Sequence, residues 1–287
     1  MAESPSSRDK LLVPDGEFVF TETDFKKIAA MVHGQAGIVL TEGKANLVYS
    51  RLAKRLRLIG LRTFREYCEL IESDDGKDER QAMIAAMTTN VTRFFREPHH
   101  FEYLKSQVLP KLVERARKGG RVRLWSAACS SGEEPYSIAM TLLDLLPEAP
   151  KLDVRILATD IDTNMLAKGR NAAYGGSALS SIPTQYHKFL NKTRQSDDFQ
   201  VGEVAMSLVQ FNELNLLGAW PMKGKFDTIF CRNVMIYFDE DTQNRIWSKF
   251  ADNLMPHGSL CIGHSERIML DTLPFELVAQ TTYRLKG

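Results

Sequence analysis

The run Leu124-Trp125-Ser126-Ala127-Ala128-Cys129-Ser130-Ser131-Gly132-Glu133-Glu134-Pro135-Tyr136 decides how this chain folds. The apolar residues Val122, Leu124 and Trp125 lead into a loop of small side chains, and a helix follows through Leu146. Pro135 suits the first helical turn, where its missing N–H costs nothing. The same grammar repeats downstream. Residues 154–158 form a buried strand ending in Thr159-Asp160, and residues 164–170 a helix. Residues 226–231 form a strand, 242–254 a helix and 259–263 a strand. Strands alternating with helices predict an α/β fold with a doubly wound, mostly parallel sheet. Residues 275–279 and 282–285 are two strand-like runs separated by a short turn, and they predict an antiparallel C-terminal hairpin on the sheet edge.

Upstream of residue 88 the pattern is helical. Thr23-Asp24 caps a helix through Met31, residues 46–59 form a second helix ended by Gly60, 63–71 a third and 79–87 a fourth. The expected organisation is a tail at 1–20, an all-helical domain at 21–87, a linker and first helix at 88–120, and the sheet domain at 121–287. A small antiparallel β insertion interrupts that domain at about 172–211, with candidate strands at 200–205 and 207–211.

Composition limits the function classes. The apolar fraction of 44% is too high for a disordered chain. Lys+Arg is 37 and Asp+Glu 36 in 287 residues, a net +1 that argues against a strongly cationic nucleic-acid binder. The cysteines Cys68, Cys129, Cys231 and Cys261 are widely spaced, so neither a disulfide framework nor a metal cluster is expected. No secretory leader and no run long enough to span a membrane is read, so the expectation is a cytoplasmic protein, and nothing demands more than a monomer.

In open parallel sheets, ligands bind at the carboxyl ends of strands. The loop at 126–132 lets a ligand approach the backbone. The carboxylates Glu133 and Glu134 would repel a pyrophosphate, and no G-x-G-x-x-G pattern is present. A cationic ligand without phosphate fits better, and S-adenosylmethionine carries a sulfonium and an ammonium. Asp160, ending the next strand, is placed for the two ribose hydroxyls. The plainer reading is that both glutamates complement a helix dipole. Arg232-Asn233 follow the strand at 226–231 and lie at the same edge; a structural salt bridge there is an equal alternative.

The segment Thr88-Thr89-Asn90-Val91-Thr92-Arg93-Phe94-Phe95-Arg96-Glu97 resembles the opening of the catalytic domain in CheR-type chemotaxis receptor methyltransferases. The runs 129–137, 158–162 and 230–238 are similar to the same family, in the same order. The resemblance implies that Asn90, Thr92 and Arg96 reach S-adenosylmethionine from the linker side, and that Asp160 takes its ribose. Either Glu133 or Glu134 would hold its charged end; Glu133 is preferred because it follows the glycine. Asn215-Leu216 match an adenine-side contact, Arg232-Asn233 a later contact, and Tyr237 lies near the reaction centre. The implied reaction methylates receptor glutamate side chains to γ-carboxyl methyl esters, in chemotactic adaptation. A glutamate of pKa about 4.3 is already an anion at neutral pH. Arg96 and Tyr237 are therefore expected to orient the substrate carboxylate and not to act as acid or base.

Residues 41–65 hold Lys44, Arg51, Lys54, Arg55, Arg57, Arg62 and Arg65 against Glu42 alone, a net +6. Lys44, Arg51 and Arg55 share one helix face, while Ala45, Val48, Leu52, Leu56 and Ile59 share another. With Lys54, these residues are the expected contact with the cytoplasmic methylation helices of chemoreceptors at membrane receptor arrays. The alternative is a solvated face, or pairing with the acidic run that includes Glu66, Glu69, Glu72 and Glu79. The insertion corresponds in position to a subdomain that binds a receptor tail peptide in some members. Its turn region, 191–202, has one glycine, Gly202, in place of a glycine-rich turn, which counts against that partner.

The tandem pair His99-His100 is expected not to bring both rings to one helix face, so no metal site is read there. Cys129 is read as a packing residue and Trp125, Trp220 and Trp247 as core. Two other classes compete. A nucleic-acid methyltransferase would carry an Asn-Pro-Pro-Tyr type motif where this chain has Arg232-Asn233-Val234-Met235. A non-catalytic module is opposed by intact Arg96, Asp160 and Tyr237.

Overall fold

The computed structural model describes residues 9–192 and 197–286. The chain forms two units, residues 1–89 and 90–287.

The first unit is helical. Helix α1 (Glu22–Ala36) is capped by Thr21 and not by Thr23: the Thr21 hydroxyl accepts from the Asp24 amide and the Asp24 carboxylate from the Thr21 amide. Helix α2 (Ala45–Ile59) ends at Gly60, and α3 (Phe64–Glu72) starts with a second capping box, Thr63 with Glu66. Helix α4 (Lys77–Met87) completes the set. The α2 face of Ala45, Val48, Leu52 and Leu56 is buried as its periodicity predicts. Residues read as a tail take part in this core. Phe18 and Phe20 are buried, and the Phe20 ring lies 4.3 Å from that of Phe64. Leu11 bridges Thr21, so residues 11–21 double back onto the helices.

The second unit opens with α5 (His99–Tyr103) and α6 (Leu109–Arg117), joined by a π-helical turn. Strand β1 (Val122–Ala127) leads to α7 (Glu133–Leu145), and β2 (Val154–Asp160) to α8 (Thr163–Asn171). Then come β3 (Ala173–Tyr174), β4 (Leu190–Lys192), β5 (Phe199–Val201), the short helix α9 (Glu203–Met206) and β6 (Val209–Glu213). Strand β7 (Phe226–Cys231), α10 (Glu240–Asn253), β8 (Leu254–Ile262), β9 (Phe275–Ala279) and β10 (Thr282–Leu285) complete it.

The seven-stranded sheet has the order β6-β2-β1-β7-β8-β10-β9. Strands β6, β2, β1, β7 and β8 run parallel, and β10 and β9 add antiparallel at the edge. Successive strand residues face opposite sides. Leu124, Ile156 and Phe230 join the core under α6 and α7, while Trp125, Ile229 and Cys231 join the one under α10 with Trp247 and Phe250. Both sheet faces are covered, which is why all six residues of β7 are buried.

The insertion is smaller than its sequence suggests. Its three-stranded antiparallel sheet has the order β3-β5-β4. Residues 203–205, expected as strand, fall in α9, and residues 209–213 belong to the main sheet, where β6 pairs with β2. The sequence at 207–211 looks like one more short strand, and only its pairing places it. Residues 193–196 of the polar turn lie outside the described residues.

Within the first unit, Arg51 and Arg55 are half-buried and bonded internally, the alternative to docking that the sequence left open. Nη1 of Arg51 donates to the carbonyls of Ala86, Met87 and Thr88 at 3.1, 2.8 and 2.9 Å, closing the C-terminal end of α4. Arg55 makes a two-pronged pair with Glu79, whose carboxylate also accepts from the Tyr67 hydroxyl at 2.8 Å. Arg55→Ala leaves Glu79 buried without its cation. The expected cost is about 2 kcal/mol, read as an earlier urea-unfolding transition; an unchanged transition contradicts the internal role.

Candidate active site at the carboxyl edge of the sheet

The parallel strands bring their carboxyl ends together: Ala127 lies opposite Thr159 and Cys231, and Asp160 opposite Glu213. The loop after β1 turns sharply. Ala128 and Ser130 have φ of 59° and 49°, and Gly132 has φ of 97°. A Cβ at Gly132 would stand 3.0 Å from the Tyr174 hydroxyl and 3.1 Å from the Phe211 ring, so only glycine fits. The Tyr174 hydroxyl donates to the Ser131 carbonyl at 2.7 Å, fixing this loop from the insertion.

Asp160 is 6% exposed. Its Oδ2 accepts from the Ser130 amide at 2.7 Å and its Oδ1 from the Asp162 amide at 2.9 Å. A carboxylate has about four acceptor sites, so each oxygen can take a further donor. Burial raises its pKa against the pull of those amides. Asp162 caps α8, its Oδ1 accepting from the amides of Asn164 and Met165, and its Oδ2 accepts from Asn90 Nδ2 at 2.9 Å. Ser130 Oγ donates to the Asn90 carbonyl at 3.2 Å. Asn90 is thereby tied to both loops, while Thr92, two residues on, is half-buried.

The structure separates the adjacent glutamates. Glu134 points inward, where Ser126 Oγ donates to its Oε1 at 2.7 Å and Arg232 Nη1 to its Oε2 at 2.9 Å. Glu133 is half-buried, accepts from Ser131 Oγ at 2.7 Å, and has no ion pair among the described residues. Burial raises its pKa against that hydroxyl. A carboxylate left without a cation at the carboxyl edge suits a positively charged ligand. Asp160 supplies the paired acceptors a ribose diol requires. Together they fit S-adenosylmethionine, and Glu134 is already neutralised.

Arg232 is internal. Its side chain is 3% exposed and lies between Glu134 and Glu97, 3.2 Å from Glu97 Oε2, with a further bond from Nη2 to the Arg96 carbonyl. The salt-bridge reading therefore describes its guanidinium. Glu97, missed in the sequence, is the other half of this arrangement. It has φ of 57° and accepts from His264 Nδ1 at 3.0 Å and from Asn233 Nδ2 at 3.5 Å. Burial raises its pKa, but Arg232 and His264 outweigh burial and hold it at about 2.

Asn233 has φ of 59° directly after Arg232. Arg96 is half-buried, and its Nη1 donates to the Val91 carbonyl at 2.9 Å. Tyr237 is half-buried at the end of a short 3₁₀ turn. The Leu214 amide donates to the Asp160 carbonyl at 3.0 Å, so the loop after β6 starts beside Asp160. In that loop Asn215 Oδ1 accepts from the Leu217 amide at 2.9 Å, and Leu216 is buried.

One other expectation changes. The rings of His99 and His100 do meet, with centroids 4.2 Å apart, and both Nε2 atoms approach Thr281 Oγ1, at 3.2 and 2.8 Å. With Glu97 they offer ligand atoms within 4.8 Å of one another. Arg232 pairs with the same Glu97, and its fixed charge opposes a metal ion there. Cys129 is buried and its thiol pKa is pushed up, which makes it a packing residue.

A strand order with an antiparallel pair at one edge, a glycine turn after β1 and an acidic residue ending β2 define a methyltransferase of the class I type. The chain belongs to the CheR methyltransferase family: the family's SAM-binding domain matches residues 90–284 and its all-alpha domain residues 23–88. It is a methyltransferase that binds S-adenosylmethionine. It is 52% identical over 258 residues to a probable chemotaxis protein methyltransferase of Rhizobium etli, covering 88% of this chain and 96% of that one. It is 42% identical to the chemotaxis protein methyltransferase of Escherichia coli, covering 98% and 97%. A solved structure of PKMT2 from Rickettsia typhi with AdoHcy overlaps 61% of this chain and 26% of that one, at 15% identity and a TM-score of 0.35. No helix among the described residues is long and apolar enough to cross a membrane.

Burial and the nearby Arg232 push the His100 imidazole down to about 3 from 6.5. Below pH 6.5 the unfolded chain takes up a proton that the folded chain refuses, so stability falls as pH drops toward 3. Glu97 does not contribute in the upper part of this window, because its stabilisation is lost only between pH 4.5 and about 2. Urea unfolding at pH 7 and pH 5 is expected to differ by about 1–2 kcal/mol more in the native protein than in His100→Asn. Equal pH dependence would rule this out.

Proposed function

We propose that the protein methylates glutamate side chains on the cytoplasmic helices of chemoreceptors, forming γ-carboxyl methyl esters as part of chemotactic adaptation at membrane receptor arrays. The observation that carries this reading is the division of labour between Glu133 and Glu134. One carboxylate stays unneutralised for a cationic methyl donor, and the other is sealed against Arg232.

S-adenosylmethionine, when bound, supplies an electrophilic methyl group on a sulfonium. Glu133 holds the charged end, Asp160 the ribose, Asn90 and Thr92 the side toward residue 90, and Asn215-Leu216 the adenine. Asn233 lines the same edge, and Arg232 holds the edge together from inside. The acceptor glutamate is an anion at neutral pH, so no base is needed to activate it. Arg96 and Tyr237 orient that carboxylate. Alignment of this kind supplies about 7–11 kcal/mol of a barrier.

Incubation with tritiated S-adenosylmethionine and receptor-containing membranes tests the reading. Base-labile release of labelled methanol is expected; label in nucleic acid, or none, would overturn it. Glu133→Gln should raise the KM for S-adenosylmethionine about tenfold or more, while Tyr237→Phe should lower kcat with cofactor affinity retained.

Receptor docking through α2 rests mainly on Lys54, since Arg51 and Arg55 are engaged and Lys44 Nζ donates to the Val39 carbonyl at 3.3 Å. Lys54 is exposed and shares a helix face with the exposed Leu47 and Leu58. An acidic receptor helix with apolar positions complements that face. Lys54→Glu should raise the KM for receptor at low salt and less so at high salt; an unchanged KM at low salt removes α2 from the docking surface. The protein acts on these helices from the cytoplasm without inserting in the membrane, and as a monomer. No tail peptide bound to the insertion is invoked.

A further inference from the structure

Glu266 lies four residues beyond the end of β8 and has no part in the roles assigned above. It is 4% exposed, yet it carries no ion pair among the described residues. Its carboxylate is satisfied by the main chain. Oε1 accepts from the amides of Val234 and Met235, both at 2.8 Å, and Oε2 from the amides of Asn233 at 3.1 Å and Gly263 at 2.6 Å.

Three consecutive amides converging on one anion make a backbone nest, an arrangement that commonly receives a bound anion. Here the occupant is a side chain of the protein itself. The turn needs such an occupant. Asn233 sits in the left-handed region, which costs energy for any residue with a side chain. Glu266 offsets that cost by collecting the amides that the turn exposes. Gly263 makes the close approach possible, because a Cβ there would stand 2.5 Å from Asn233 Nδ2 and 2.9 Å from Glu266 Oε2.

We infer that Glu266 is a positioning residue for methyl transfer: it holds the loop after β7 in the turn that aims Asn233 and Tyr237. The inference rests on the roles proposed above for those two residues. Tyr237 inherits its place from this nest, since its amide donates to the Val234 carbonyl at 3.2 Å and its 3₁₀ turn starts at Met235. Asn233 is held from two directions, its amide by Glu266 and its Nδ2 by Glu97. Burial raises the Glu266 pKa against the four amides that favour the anion.

Glu266→Gln keeps the size but replaces one acceptor oxygen with an NH2 group, which then faces two N–H donors. The variant is expected to lose kcat about tenfold or more in protein that remains folded by circular dichroism. A purely structural role would lower the folded fraction and leave kcat per folded molecule unchanged. Combined with Tyr237→Phe, Glu266→Gln should lower kcat by less than the product of the two single losses, because part of its effect acts through the same side chain. Wild-type kcat in Glu266→Gln, or losses that multiply in the double variant, would overturn the inference. If Glu266→Gln does not fold, Glu266→Asp, which keeps both oxygens, is compared with Tyr237→Phe against the same outcomes. Should Asn233→Ala and Tyr237→Phe both keep native kcat and cofactor affinity, the proposed roles of that loop fail, and the role of Glu266 fails with them. Losses in those two variants with none at Glu266 refute this inference alone.

Discussion

The buried Arg232 guanidinium, held between Glu134 and Glu97, is the interaction on which the rest of the site depends. It comes from the end of β7 and meets the first turn of α7 on one side and the segment before α5 on the other. A buried cation is costly unless paired and hydrogen-bonded, and here one ion joins three parts of the chain at the sheet edge. The pair also decides the local charge. It removes Glu134 and Glu97 from the edge as free anions, and Glu133 and Asp160 are left there without an ion pair among the described residues.

The second constraint is the backbone. Phe95, Glu97, Ala128, Ser130 and Asn233 have positive φ without being glycine, and all five lie in the three segments that build the edge. Such conformations persist only where surrounding bonds over-determine them. The bonds are present: the Phe95 amide donates to Ser137 Oγ, the Ser130 amide to Asp160, and the amides of residues 233–235 to Glu266. The edge is thus held by the protein's own bonds, as alignment chemistry requires.

Much of this was legible in the sequence because it is local. The strands at 226–231, 275–279 and 282–285 coincide with β7, β9 and β10, since apolar runs bounded by turns report burial directly. Asp160 and Glu133 stand out because each follows a strand or a glycine turn at a known edge. Glu97 and Glu266 did not, because most of their partners lie 31 to 167 residues away. One signal for Glu266 was available: an acidic residue just past a buried strand, on a loop reaching the same edge. Arg51 and Arg55 show the limit of spacing as a guide. Helical spacing put them on a shared face, but a face has two fates, and Glu79 with the end of α4 had already claimed it.

The sequence by itself determined the α/β alternation, the helical first unit, the family, and the anionic character of a site at the strand ends, because periodicity and short motifs are encoded within a few residues. Only the tertiary structure decided which of two neighbouring glutamates stays free, that the His99 and His100 rings meet, that residues 209–213 complete the main sheet, and that the +6 segment spends much of its charge internally. The physical reason is common: each rests on a distant partner, which for the two histidines is Thr281. Electrostatic pairing and strand pairing are contacts between distant residues, and a charge or an apolar run carries no mark of its eventual partner.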